Sequence, residues 1–196
     1  MSCLFCQEQF REDPHSTLWS DDYFYIKADR SPANPGHLLA ISRRHAEDYF
    51  ALSDEEKIDL QTVIGKMQQL CTDTRIRDYY QQTLESQPDE RTREMVTFAL
   101  EHWDEMNTKC SGYNLGCNCG LDAGQTQMHF HYHLIPSFPG DRQFPTGGIR
   151  QCIFERGDYK HARQHVCDCA CCQNQERCCG YHGGRHGCCC HENDAK

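Results

Sequence analysis

The residues most able to do chemistry are His129-Phe130-His131-Tyr132-His133, with an imidazole at every second position. On an extended strand alternate side chains share a face, so this spacing points the three imidazoles one way and Phe130 and Tyr132 the other. Imidazole near neutral pH can ligate a metal, attack as a nucleophile or carry a proton. Three chemistries are therefore open. The histidines can join a further ligand around catalytic zinc, one can attack phosphorus while its neighbours orient the oxygens, or they can divide the two jobs. A half-buried strand whose solvent face happens to be histidine is the plain alternative. The preceding loop, Gly120-Leu121-Asp122-Ala123-Gly124-Gln125-Thr126, favours phosphate. Its glycines let the backbone approach an anion closely, and Gln125 and Thr126 supply donors.

A second cluster opens the chain. Cys3 and Cys6, two residues apart, form half of a tetrahedral zinc site and need two ligands from elsewhere in the fold. A pair of reduced bystander thiols is the alternative. A thioredoxin-like role fits less well, because no strand precedes the pair and no helix signature follows it. Of the 16 cysteines, nine fall between Cys167 and Cys190, where they describe a tail and not a disulfide framework. The tail's thiols and histidines could bind zinc or copper(I).

The elements that must position these groups can be read from periodicity. Tyr23–Ile26 and Gly36–Ile41 read as two strands joined by the turn-rich Ser31–Gly36. Ser53 with Glu56 three residues on is a capping box, and Leu60, Val63, Ile64, Met67, Leu70 and Cys71 then make one apolar helical face. A second helix is expected from about Pro88 to Met106, while Arg75–Gln87 is polar and ambiguous. Tyr113–Cys119 and Gln127–Ile135 alternate as strands, and Ile149–Phe154 reads as a short last one. After Tyr159 large aliphatic residues almost vanish, so 1–159 is expected to be the folded domain and 160–196 a Cys/His-rich tail that is disordered or metal-dependent.

Composition narrows the classes of partner. Hydrophobic residues make up 38% and the formal charge is −9, with no clustered Lys and Arg to grip a nucleic-acid backbone. No apolar run approaches the ~20 residues of a membrane span. The first residues lack a basic stretch followed by an apolar one, so a cytoplasmic protein is expected.

The stretch Gly112–Pro136, Pro35-Gly36-His37-Leu38-Leu39 with Ser42-Arg43-Arg44-His45, and Gly140-Asp141 with Gly147–Arg150 together resemble the histidine triad (HIT) superfamily, and most closely its zinc-containing dinucleoside-polyphosphate hydrolase-like branch. The resemblance covers most of residues 1–157 but not roughly Thr72–Asn107, which reads as an extended helical insertion (72–107), nor the tail. It implies an α+β fold, an antiparallel sheet with a long packed helix, and a homodimer. It matches His131 to the nucleophile, with His133 on the α-phosphate. Gln125 and Thr126 match the phosphate-binding pair, Asn118 an active-site amide, and Asp29 a ribose contact. Catalysis would thus fall to His131, His133 and Gln125. It matches Cys3, Cys6, His45 and His129 to the ligands of a structural zinc. Ser137 departs from the family, which has a basic residue there. The implied activity is hydrolysis or nucleotidyl transfer at the α-phosphate of an adenine nucleotide conjugate, such as diadenosine tetraphosphate, through a nucleotidyl-histidine. A metalloenzyme holding its ion with all three histidines, and a non-catalytic nucleotide-binding module, are the rival functions.

Overall fold

The computed structural model describes residues 3–142 together with Gly148 and Ile149. The chain divides into two units, Met1–Gln143 and Phe144–Lys196. The first is described below. The expected strand at Ile149–Phe154, the boundary at residue 159 and the Cys/His-rich tail lie outside the described residues, apart from Ile149 at that strand's edge.

After the short helix α1 (Glu8–Arg11), the strands β1 (Thr17–Ser20), β2 (Phe24–Ala28) and β3 (Leu38–Ser42) run in sequence. Four helices follow: α2 (Asp54–Leu70), α3 (Thr74–Glu85), α4 (Glu90–Glu101) and α5 (Trp103–Lys109). The strands β4 (Gly112–Gly116) and β5 (His131–Ser137) complete a five-stranded sheet of order β1-β2-β3-β5-β4, antiparallel throughout. The fold is α+β, as expected.

Period-two alternation divides the sheet's side chains between two faces. Phe24, Ile26, Leu38, Ala40 and Leu134 enter the main core with Leu60, Val63, Met67 and Cys71. Leu39, Tyr25 and Ile41 pack on the opposite face against Cys3, Phe5 and Phe10. Ile41 pairs with His131 and Leu39 with His133, so both histidines stand on that second face.

The long helix starts where its capping box places it. Ser53 Oγ accepts from the Glu56 N–H (3.2 Å), and a Glu56 carboxylate oxygen accepts from the Ser53 N–H (2.7 Å). Glu56 also takes both nitrogens offered by Arg44, at 3.0 and 2.6 Å, which ties the helix start to the loop after β3.

The structure resolves the ambiguous segment, breaks one expected helix, adds a strand and shortens two others. The ambiguous Arg75–Gln87 segment is mostly α3, capped by Asp73, with Ile76, Tyr80 and Thr83 buried at helical spacing. The single helix expected over Pro88–Met106 is broken at His102 into α4 and α5. β1 carries no long apolar run and is held by pairing with β2. The strand expected from Gln127 begins only at His131, and the strand expected to reach Cys119 ends at Gly116.

Gly36 has a structural reason to be glycine. Its φ is +76°, and a Cβ there would lie 2.3 Å from the carbonyl oxygen of Cys71. Only glycine lets the turn before β3 reach the end of α2 so closely. Among the described residues no helix is long and apolar enough to cross a membrane.

Candidate active site and metal centre

Because β5 starts at His131, His129 sits in the approach to the strand and faces a different set of partners from its two neighbours. His129 is fully buried. Its Nε2 lies 2.7 Å from the carbonyl oxygen of Ser42. A carbonyl only accepts, so Nε2 carries the proton and Nδ1 keeps its lone pair. That Nδ1 faces Cys3 Sγ at 3.3 Å, Cys6 Sγ at 3.5 Å and His45 Nδ1 at 3.2 Å, with Cys6 Sγ 3.4 Å from His45 Nδ1. The four ligand atoms all lie within 4.8 Å of one another.

Tetrahedral zinc with Zn–N of about 2.0–2.1 Å and Zn–S of about 2.3 Å separates its ligands by roughly 3.3–3.8 Å. The observed spacings fit that ion. The Ser42 carbonyl orients His129 as outer-shell partners of ligating histidines generally do. Burial lowers the His129 pKa to about 4, so the ring is neutral and able to ligate at neutral pH.

His131 is turned differently. Its Nδ1 is 2.8 Å from the carbonyl oxygen of His129 and must therefore donate, so in the neutral ring the lone pair is on Nε2. The Phe5 ring stands edge-on to both His129 and His131, at 5.6 and 5.4 Å between centroids. Phe5 is fixed in turn, because its carbonyl accepts from Tyr25 Oη (2.8 Å) and Arg11 Nε (3.0 Å).

His133 Nδ1 lies 3.0 Å from Nε2 of His37, a residue that sequence reasoning did not place in the site. The Ala33 N–H donates to His37 Nδ1 (3.1 Å), so His37 Nε2 carries its proton and donates to His133. His133 is thereby left with its own proton on Nε2, a donor for an incoming ligand. Burial lowers His37 to about 3 and His133 to about 4, so both are neutral over the physiological range.

Asp29 completes this group. One carboxylate oxygen accepts from the Ser31 N–H (2.8 Å) and the other lies 3.5 Å from His37 Nδ1; burial raises its pKa. Asp29, His37 and His133 are also spaced closely enough to share a cation. The hydrogen bonds from Ala33 and His37 already account for the two rings. His37 had one signal in the sequence, its place after Pro35-Gly36. Its partner lies 96 residues away, which no local pattern reveals.

The loop residues behave unequally. Gln125 is buried, and its amide is spent within the fold. Oε1 accepts from the Gly120 N–H (2.7 Å), and Nε2 donates to the carbonyls of Glu47 (2.6 Å) and Gln127 (3.0 Å). Its side chain braces the loop and presents no donor to a ligand in this arrangement. Thr126 and Asn118 are exposed, and Asn118 Nδ2 donates to the carbonyl of Gly124 at 3.4 Å. Ser137 accepts from Arg142 (2.6 Å), so a guanidinium stands beside the position where the resemblance calls for a basic residue.

The three histidines thus serve separate partners, and no described group spaced to hold one ion contains more than one of them. Among known proteins, the chain is 24% identical over 139 residues to an uncharacterized HIT-like protein of Methanocaldococcus jannaschii, 71% of this chain and 81% of that one. An asymmetrical bis(5'-nucleosyl)-tetraphosphatase of Schizosaccharomyces pombe is 28% identical over 110 residues, 56% of this chain and 42% of that one. A HIT family protein from Bacillus anthracis of known structure is 26% identical with a TM-score of 0.49, covering 72% of this chain and 77% of that one. Residues 11–140, which carry the sheet, the long helix, the glycine loop and all three histidines, match the HIT domain family, and the chain belongs to it.

Proposed function

We propose that the protein is a nucleotide hydrolase or nucleotidyl transferase that opens the α-phosphate of an adenine nucleotide conjugate through a covalent nucleotidyl-His131 intermediate. The observation that carries this reading is the Nδ1–H of His131 held on the carbonyl of His129, which reserves Nε2 as the atom that can attack. Nε2 attacks the α-phosphorus, the N–P bond forms, and the bond to the leaving group breaks with its electron pair on the departing oxygen or nitrogen. Water or another acceptor then attacks phosphorus and restores the free imidazole.

The protonated Nε2 of His133 donates to a phosphoryl oxygen as charge develops there. The exposed Thr126 hydroxyl and Asn118 amide supply further donors, and Gln125 holds the loop in shape. Removal of one donor of this type typically costs about 10²–10³ in turnover.

Zinc would be held by Cys3, Cys6, His45 and His129, and its contribution is structural. It ties the N-terminal segment to the residue whose carbonyl orients the nucleophile. The tetraphosphatase relative supports a dinucleoside polyphosphate as the first substrate to try. The test is incubation with radiolabelled diadenosine tetraphosphate and a panel of adenylated amines, stopped with denaturant at alkaline pH, where an N–P bond to histidine survives. A labelled protein that disappears in His131→Ala is expected. Wild-type-like turnover by that variant would overturn the assignment.

A further inference from the structure

Two cysteines bracket Asn118. Cys117 and Cys119 follow the end of β4, and their sulfurs lie 3.9 Å apart. Both sulfurs are half-buried while Asn118 between them is exposed. The reaction proposed above uses neither thiol, and the zinc ligands lie elsewhere.

We propose that Cys117 and Cys119 form a dithiol–disulfide site, oxidised by a low-molecular-weight disulfide such as glutathione disulfide, and that closing it displaces the Asn118 loop and weakens nucleotide binding. The consequence for binding rests on the proposed function; the disulfide itself does not.

The chemistry balances with that oxidant alone. The Cys119 thiolate attacks one sulfur of glutathione disulfide, forming a mixed disulfide and releasing one glutathione thiolate. Cys117 then gives its proton to solvent and attacks the Cys119 sulfur, which forms the internal bond and releases the second glutathione. Two protein thiols are oxidised and one disulfide is reduced. The order follows from packing. Cys117 lies against the main core, and burial together with the neighbouring Cys119 pushes its thiol up to about 12, so Cys119 attacks first, and its capture in the mixed disulfide then removes its charge from beside Cys117.

Closure must shorten the gap from 3.9 Å to about 2.05 Å. The resulting ring has a single intervening residue, so the backbone at Asn118 takes up the movement. Asn118 Nδ2 would leave the Gly124 carbonyl, already a long contact at 3.4 Å. The clamp from the Gly120 N–H to Gln125 begins one residue further on. Strained disulfides are the more easily reduced ones. This bond therefore forms only when the disulfide pool rises, and a reducing pool reverses it.

The experiment uses the zinc-replete full-length chain, equilibrated in buffers of increasing glutathione disulfide over glutathione. Peptide mapping of residues 110–142 by tandem mass spectrometry, after alkylation of free thiols, reports the bond. Hydrogen exchange over 118–125 and the affinity for a fluorescent adenine nucleotide report its effect. We expect a Cys117–Cys119 disulfide, a change in exchange across the loop, and an affinity loss of about tenfold, the cost of one ordinary hydrogen bond, all reversed by dithiothreitol.

Cys119→Ser should bind nucleotide as well as the reduced wild type and ignore the oxidant. Cys117→Ala repeats the test from the other sulfur should the first variant misfold. Oxidation of other cysteines without this bond would overturn the site. The bond without a change in exchange or affinity would overturn the coupling. If the reduced protein binds no nucleotide, the proposed function fails, and mapping with hydrogen exchange still decides the dithiol.

Discussion

The carbonyl oxygen of His129 and the ring of His37 between them decide which nitrogen of His131 and of His133 is left without a partner in the fold. At His131 the acceptor is a carbonyl, so the free atom is a lone pair. At His133 the partner is a donor, so the free atom is N–H. Two neighbouring histidines of the same type are thus made chemically opposite by what stands behind them. It follows that His37→Phe, which keeps a ring but removes the donor, lets His133 rotate or exchange tautomers. We expect turnover to fall about 10²-fold, as for loss of one oxyanion donor, while nucleotide affinity changes much less. Equal losses in kcat and in binding would mean that His37 merely supports the pocket. The strand period alone puts His131 and His133 on one face. It gives no sign of His37, nor that the Gln125 amide is consumed by Gly120, Glu47 and Gln127, because those partners are fixed by tertiary packing.

Elements reach the site by two attachments, one through the Cys3, Cys6, His45 and His129 group that could hold a metal and one through the helix cap. Cys3 and Cys6 flank Phe5, which packs on the second face of the sheet with Tyr25 and Ile41. Zinc removal by a chelator, or Cys6→Ser, should free this segment as well as the ligands. We expect a lower melting temperature, faster proteolysis at residues 3–11 and reduced turnover, with less than a few tenths of a zinc bound per chain. An unchanged melting temperature after zinc loss would count against a structural role.

The helix cap gives a pH dependence with a definite sign. Burial alone would raise the Glu56 carboxyl, but hydrogen bonds from Arg44 and the Ser53 N–H outweigh it and hold the group below its usual range. A depressed folded pKa means the stabilisation is fully present above the unfolded value of about 4.3 and is lost as pH falls through the lower folded value. Urea unfolding between pH 3 and 7 should show the wild type losing more stability on acidification than Glu56→Gln. At pH 7 that variant should be about 1–2 kcal/mol less stable, from a weakened cap and a poorly paired Arg44. Parallel pH profiles would show that the carboxylate contributes nothing through its charge. The capping box was legible because its signature lies within four residues of sequence. β1 was not, because Thr17–Ser20 becomes a strand only through Lys27, Ile26 and Tyr25 across from it. The break at His102 has no local signature, since the apolar spacing of Val96, Ala99, Trp103 and Met106 runs straight through it.

At the scale of the whole molecule, every atom assigned to the proposed site belongs to residues between Cys3 and His133, and the supports at Ser137, Asp141 and Arg142 end the described part of the first unit. Asn34 Nδ2 joins those supports to the β2–β3 turn, donating to the Pro136 carbonyl (2.9 Å) and to Asp141 (2.7 Å). The turn that carries His37 is therefore anchored from within the HIT domain. Residues 160–196 contain almost no large aliphatic side chains, while ordering each residue costs roughly 1–2 kcal/mol. No group in the proposed reaction belongs to them. A chain ending at Tyr159 should keep turnover within a few-fold of the full length, retain zinc on Cys3, Cys6, His45 and His129, and melt at the same temperature. The competing arrangement has tail thiolates or histidines entering the site, which requires a folded contact with the triad. In that case truncation would lower turnover sharply with folding intact, and zinc per chain would fall by more than the tail's own share.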